Sequence, residues 1–252
     1  YASGISVAGV SSLYYSQLEL LADQPDLPKS FSLSGLQLSV IKLIADSKGL
    51  DTSGWFSALN NGDLASVQAN PPTVNVTGDL VWGEVPVTAP TSSAGYTPLA
   101  STMYNAYVIG TPATDLPLTG TLRYTLTDST MVRGSDGSVG ATGLSQFDLA
   151  INLGATTTYE AALATSGTTP MTFSNMGNPV AGDWGKNGPA TFSFTAPAGS
   201  DSNCGSCALD VAGIVTGKGG TNAGVTYRMT GVGGSAAAYT GAAALDKQIL
   251  AP

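Results

Sequence analysis

"CALDVAGIVTGKGGTNAGVTYRMTG", running from Cys207 to Gly231, decides the fold. In its second half Val225, Tyr227 and Met229 alternate with Thr226 and Arg228, and six glycines punctuate the whole stretch. Alternation of period two puts one set of side chains on each face of a strand, and glycines at the breaks supply the positive φ that tight turns need. The stretch holds no histidine and almost no charge, so it reads as sheet and turn without chemistry of its own.

The same grammar extends on the N-terminal side as far as Thr73. "GTLRYTLT" sets Leu122, Tyr124 and Leu126 against Thr121, Arg123, Thr125 and Thr127, and "FDLAINLG" sets Phe147, Leu149, Ile151 and Leu153 against Asp148, Ala150 and Asn152. "TFSFTA" points Phe192 and Phe194 the same way. "RGSDGSVG", "NPVAGDWGKNGP" and "TGKGGTNAG" carry the Gly, Asn and Asp of turns between them. Without a helix-period segment among these runs, a parallel α/β sheet is disfavoured and a sandwich or up-and-down barrel is expected.

The first seventy residues read differently. "SSLYYSQLELLADQ" spaces Tyr14, Leu18 and Leu21 as a helix does and stops before Pro25. "FSLSGLQLSVIKLIADSKG" predicts a strand followed by a short helix ending near Gly49, and "DTSGWFSALNNGDLASV" another short helical or turn element. The prolines of "QANPPTVNV" mark a boundary, giving an N-terminal region over residues 1–70 and a barrel domain over 71–252.

Composition narrows function. The chain has 252 residues, 42% apolar but only 10% charged, so its surface must consist mainly of hydroxyls, amides and exposed backbone. A soluble domain ordinarily carries about 25% charge. Nine Lys and Arg against seventeen Asp and Glu give a net charge of -8, which repels phosphate backbones, so nucleic acid is not an expected partner. No apolar run reaches the roughly 18 residues of a spanning helix. The opening at Tyr1, without Met or an apolar leader, reads as a mature exported protein with its signal peptide removed.

Cys204 and Cys207 are the only cysteines. A C-x-x-C pair reads as a redox centre, half a zinc site or a small disulfide. Zinc would need further Cys or His ligands, and the chain has none left. The pair lies in "GSDSNCGSCALDV", a Gly/Ser loop entering a strand rather than a βαβ turn, which favours a structural disulfide over a redox centre and leaves free thiols as the alternative.

The absence of histidine removes the usual general base and the commonest metal and haem ligand. Asp79 and Glu84 near Trp82 form the most suggestive carboxylate group, but they and Asp201 are read as solvated loop or edge charges. "RGSDGSVG" and "GSDSN" are read as ordinary turns rather than calcium loops. Asn75-Val76-Thr77 matches a glycosylation sequon. Trp55, Trp82 and Trp184 either line a barrel cavity or fill it, and "AAAYTGAAAL", Ala236 to Leu245, either opens space or lets another element pack close. No catalytic residue, cofactor or metal site is expected.

"GIVTGKGGTNAGVTY" from Gly213 to Tyr227, followed by "YTGAAAL" from Tyr239 to Leu245, resembles the small β-barrel domains of transferrin-binding protein B and its bacterial relatives. Gly217 corresponds to the turn glycine and Ala223-Gly224 to the paired small-residue step before the next strand, which here carries Tyr227. "YVIGTPATDLPLTGTLRYTLT", from Tyr107 to Thr127, is similar to the same group, and the resemblance spans residues 78–246. It implies an all-β fold, an eight-stranded antiparallel barrel with a smaller mixed N-terminal region, in an exported protein often displayed on the outer surface of Gram-negative bacteria. Val215 and Thr216 stand where the family has aromatics, and Gly220 and Asn222 where it has alanine and glutamate. A two-lobed architecture is not expected, and transferrin binding is not carried over.

The expected function is a non-catalytic extracellular or cell-surface barrel. Its first form is a structural or adhesive subunit that self-associates, filaments included, through the apolar segment holding Ile5, Val7, Val10, Leu13, Tyr14 and Leu18, by packing on or adding a strand to another copy. The alternative is a secreted module that captures a small ligand, haem or iron, or a host protein, with Tyr14 or Tyr15 the haem ligand.

Overall fold

The computed structural model describes residues 2–5, 13–16, 73–87, 103–134, 139–167, 170–186, 189–199, 202–232 and 238–248. Five strands form one antiparallel sheet: β1 (Ala2–Ile5), β2 (Leu13–Ser16), β3 (Thr73–Thr77), β4 (Leu80–Val87) and β5 (Met103–Gly110), in the order β1-β2-β5-β4-β3. The helical spacing from Tyr14 is overturned. Tyr14, Tyr15 and Ser16 pair with Gly110, Ile109 and Val108, and the open edge of β5 outweighs a spacing that aromatic residues satisfy equally well in a strand. The helices expected near 31–49 and 51–67 lie outside the described residues.

The remaining strands build a barrel. Its first hairpin runs out through β6 (Gly120–Ser129) and β7 (Val132–Gly134) and returns through β8 (Val139–Ala141) and β9 (Leu144–Leu153). β10 (Thr158–Thr165) pairs with β9. Along the other edge of β10 lie β11 (Thr172–Ser174) and then β12 (Val180–Ala181), which leads across Gly182 into β13 (Asp183–Trp184). β14 (Thr191–Pro197), β15 (Ala208–Thr216), β16 (Asn222–Thr230) and β17 (Tyr239–Lys247) follow in antiparallel order, and β17 returns to pair with β6.

Closure lies in the short strands. Val180 and Ala181 pair with Tyr159 and Thr158 on one side, while Asp183 and Trp184 pair with Ser193 and Phe192 on the other. Taken as one strand, β12–β13 joins β10 to β14 and completes an eight-membered ring: β6, β9, β10, β12–β13, β14, β15, β16 and β17. Closure leaves no exposed edge for another chain to pair with along this seam. Gly182 permits the join, because a Cβ there would meet the Ser193 carbonyl and the ring of Tyr159.

Inside the ring, the alternating residues of each strand meet. Leu122, Tyr124, Phe147, Leu149, Ile151, Phe192, Phe194, Val225, Tyr227 and Met229 are all buried in one cluster. Phe194 and Phe192 both stack on Tyr159, with ring centroids at 4.8 and 5.9 Å, and Trp184 stacks on Phe192 at 6.5 Å. Phe147 meets Tyr227 at 6.0 Å. The interior is thus filled by side chains, which decides between the two readings of the aromatics. Trp82 lies outside the barrel altogether, and Trp55 is outside the described residues.

The division at residue 70 does not match where the barrel begins. Its first strand starts at Gly120, and Thr73–Gly110 supply β3, β4 and β5 of the other sheet. Period-two alternation is the same for a strand of either sheet, so the pattern alone marks no border between them.

Candidate functional site

Where the five-stranded sheet meets the barrel, two apolar faces pack together. Leu80 and Trp82 of β4 and Ala106 and Val108 of β5 pack on Ile214 of β15 and on Ala242 and Ala244 of β17. This explains the thin side chains of "AAAYTGAAAL": Ala243 and Leu245 point into the barrel, while Ala242 and Ala244 alternate outward and let the second sheet lie close. Gly224 belongs to the same seat, since a Cβ there would collide with Val108 and press on Leu80. Strands β15 to β17 are consequently buried on both faces.

At one margin of this seat the contacts turn polar. Leu80, Trp82 and Glu84 follow one another on the barrel-facing side of β4, and Glu84 is only 4% exposed. Its Oε2 accepts two hydrogen bonds from Arg133 of β7, from Nε and Nη2, each at 3.3 Å. Arg133 is cross-strand from Thr240, and Thr240 from Arg228, which in turn faces Asp210; Thr195 donates to Asp210 at 2.7 Å. A row of polar groups therefore runs across the barrel wall beside the apolar seat, ending in the carboxylate of the second sheet.

Glu84 is not the solvated edge charge expected from the sequence. Burial raises its pKa, and Arg133 together with the Thr130 hydroxyl pulls it partly back. Its Oε1 has no hydrogen-bond partner among the described residues, and neither has the buried hydroxyl of Tyr227. Burial, reinforced by the Glu84 charge, pushes the Tyr227 phenol well above the usual tyrosine range. Tyr227 reaches this place across Gly241, its cross-strand neighbour, where a Cβ would press on the Tyr227 hydroxyl and on Thr130. Sequence reasoning marked Glu84 but missed Arg133 and Thr130, because only the sheet-on-barrel packing brings them together.

The other marked residues have structural places. Gly217, at φ +75°, lies in the turn between β15 and β16. Gly213 faces the barrel interior beneath the Phe192 ring, Ala223 and Tyr227 are core residues, and Gly224 faces outward. Cys204 and Cys207 form a disulfide, with their Cα atoms 5.7 Å apart and both residues buried. Asp79 is exposed in the β3–β4 turn, and Asn75 of the sequon is opposite Trp82 on the edge strand β3. Ile5 lies in β1 and Leu13 and Tyr14 in β2, whereas Val7, Val10, Leu18 and Asp201 are outside the described residues. Leu13 and Tyr14 are on β2, which lies close to β15, the strand of Gly213. Among the described residues no cluster of His, Cys, Asp and Glu has the makings of a metal site, and no helix is long and apolar enough to cross a membrane.

The closed ring, carrying a second sheet on its flank, can be compared with known proteins. Solved structures of transferrin-binding protein B are among those to which this chain is similar. The solved structure of this protein from Haemophilus parasuis Hp5 matches at a TM-score of 0.42 with 12% identity, over 71% of this chain and 35% of that one. The isotype 1 protein of serogroup B Neisseria meningitidis matches at 0.41 and 12%, over 70% and 36%. A surface lipoprotein matches at 0.39 and 12%, over 77% and 88%. The chain spans about a third of the length of the transferrin-binding protein B structures it matches. No protein-family model and no curated protein matches the sequence.

Proposed function

We propose that this chain is a non-catalytic binding module of the cell surface or extracellular space, recognising a macromolecular partner with its outer surface. The observation that carries the reading is the filled barrel: Tyr124, Phe147, Tyr159, Phe192 and Tyr227 occupy the space in which a barrel would hold a small ligand. The lack of any histidine in the sequence supports the absence of catalysis, and the disulfide and sparse surface charge suit an oxidising exterior. Titrating the purified protein with haem, and with a panel of small apolar ligands by calorimetry, tests it. No saturable uptake is expected; a stoichiometric haem band or a saturable isotherm would restore small-ligand capture and remove the reading.

A second reading, self-association into an adhesive or filamentous assembly, draws on the way β1 and β2 are added to the β5 edge from a remote part of the chain. A strand recruited through its backbone ladder within one chain is chemically the same as one donated by another copy. Sedimentation of the full chain and of a variant lacking residues 1–24 over a range of concentrations separates the readings. Assembly that vanishes with the deletion supports strand donation, and an unchanged oligomeric state refutes it.

A further inference from the structure

The barrel wall between β10 and β14 is closed in two different ways along its length. One half is closed by β12–β13. In the other half β11 occupies the β10 edge, at Ala162–Ala164, and β11 is met by a loop instead of a strand. Gly199, Ser202 and Asn203, between β14 and β15 in the chain, lie along β11. Gly199 N–H donates to the Ser174 carbonyl at 2.7 Å and Asn203 N–H to the Thr172 carbonyl at 3.1 Å. The amides of β11 are taken by side chains: Thr172 N–H donates to Asn203 Oδ1 at 2.7 Å and Ser174 N–H to Ser202 Oγ at 2.9 Å. Asn203 and Ser202 therefore complete the ladder where no strand is present.

The disulfide is fastened to the end of this loop. Cys204 follows Asn203 directly, Cys207 precedes β15, and the Cys207 carbonyl accepts the Ala198 N–H at 3.0 Å, so both ends of the loop are tied together. Both cysteines belong to the same buried cluster as Phe173 of β11. Gly205 and Ser206 between them are exposed, while both cysteines are buried beneath them.

We propose that Cys204–Cys207 is a reducible latch on a seam of the barrel, and that reduction releases Gly199, Ser202 and Asn203 from β11 and uncovers its edge. This goes beyond the binding reading and does not depend on it. The step is thiol–disulfide exchange with a dithiol. One of its thiolates attacks a cystine sulfur, the S–S bond breaks and a mixed disulfide forms; the second thiolate then closes the reductant's own disulfide and frees the remaining cysteine. Two electrons and two protons pass to Cys204 and Cys207, and the dithiol is oxidised.

The test is hydrogen exchange of the folded wild-type chain before and after dithiothreitol, with reduction verified by intact mass. The amides of Thr172, Ser174, Ala198, Gly199 and Asn203 are expected to exchange on the order of tenfold faster, as expected for removal of a short cross-link, while those between β16 and β17 keep their protection. Unchanged exchange at the seam in fully reduced protein would overturn the proposal. So would loss of protection in all strands together, because the bond would then hold the whole fold and not a seam. Because reduction is applied to folded protein, the result does not depend on a Cys204→Ser, Cys207→Ser variant folding; where that variant folds, it must reproduce the fast seam.

Discussion

Gly224 shows what one missing methyl does in this fold. It is cross-strand from Ile214 and Ala244, both in the seat of the second sheet, and no Cβ fits beneath Val108. Gly224→Ala is expected to cost about 1–3 kcal/mol through overpacking, measured as a lower denaturant midpoint. Val108→Ala in the same chain should recover part of that loss, and strict additivity of the two changes would show that they do not share the contact. Glu84 gives a second residue-scale prediction. Its pKa is raised in the folded protein above its ordinary value near 4.5, so the native state binds more protons than the unfolded chain just above that pH. This contribution to stability is full at acid pH and falls as pH rises from about 4.5 through the folded pKa. Glu84→Gln keeps an oxygen for Arg133 and loses the titration, so its stability should not show that fall. An identical pH profile for variant and wild type would remove Glu84 as the cause. The sequence could flag Glu84 as a carboxylate, but its burial depends on a sheet-to-barrel contact that no local pattern encodes.

Strands with one wet face were legible in the sequence, whereas their partners were not. Leu122 and Tyr124 alternate with Thr and Arg, Phe192 and Phe194 with Thr and Ser, and both pairs do point into the barrel. β12 and β13 are two residues each and give no periodic signal, so the strand that closes the ring reads in the sequence only as the turn stretch "NPVAGDWGKNGP". Likewise β2 was read as the start of a helix because its pairing with β5 is remote in sequence. The junction of β6 and β7 is a further element that only the structure reveals. Thr130 sits at the break, where its Oγ1 accepts the buried Ala242 N–H at 3.0 Å and its own N–H donates to the Ala242 carbonyl at 2.9 Å. Thr130→Val retains the shape and the backbone bond but leaves the Ala242 amide without its side-chain acceptor. The expected loss is about 1–3 kcal/mol, the cost of an unsatisfied buried donor, with faster exchange of the Ala242 amide in the same variant. A stable Thr130→Val protein with full protection at Ala242 would show that the hydroxyl is dispensable to the junction.

At the scale of the whole molecule, Gly224 with Ala242 and Ala244 of β17 lets the second sheet lie against the outer face of three barrel strands. β15, β16 and β17 form the barrel wall on their inner face and the floor of the second sheet on their outer face. Neither sheet can leave without exposing the apolar side chains of the other. Burial of apolar area contributes about 25 cal/mol per Å², so separation of the two sheets should not occur as an independent step. Trp82, 1% exposed in the middle of this seat, is the natural reporter. With Trp55 and Trp184 replaced by phenylalanine, its fluorescence should change over the same denaturant range as the far-ultraviolet circular dichroism of the strands. Coincidence of the two transitions is the mark of one cooperative unit. A Trp82 transition at lower denaturant than the loss of strand signal would mean that the second sheet detaches first, and the shared strands would then be a docking surface instead of a common core.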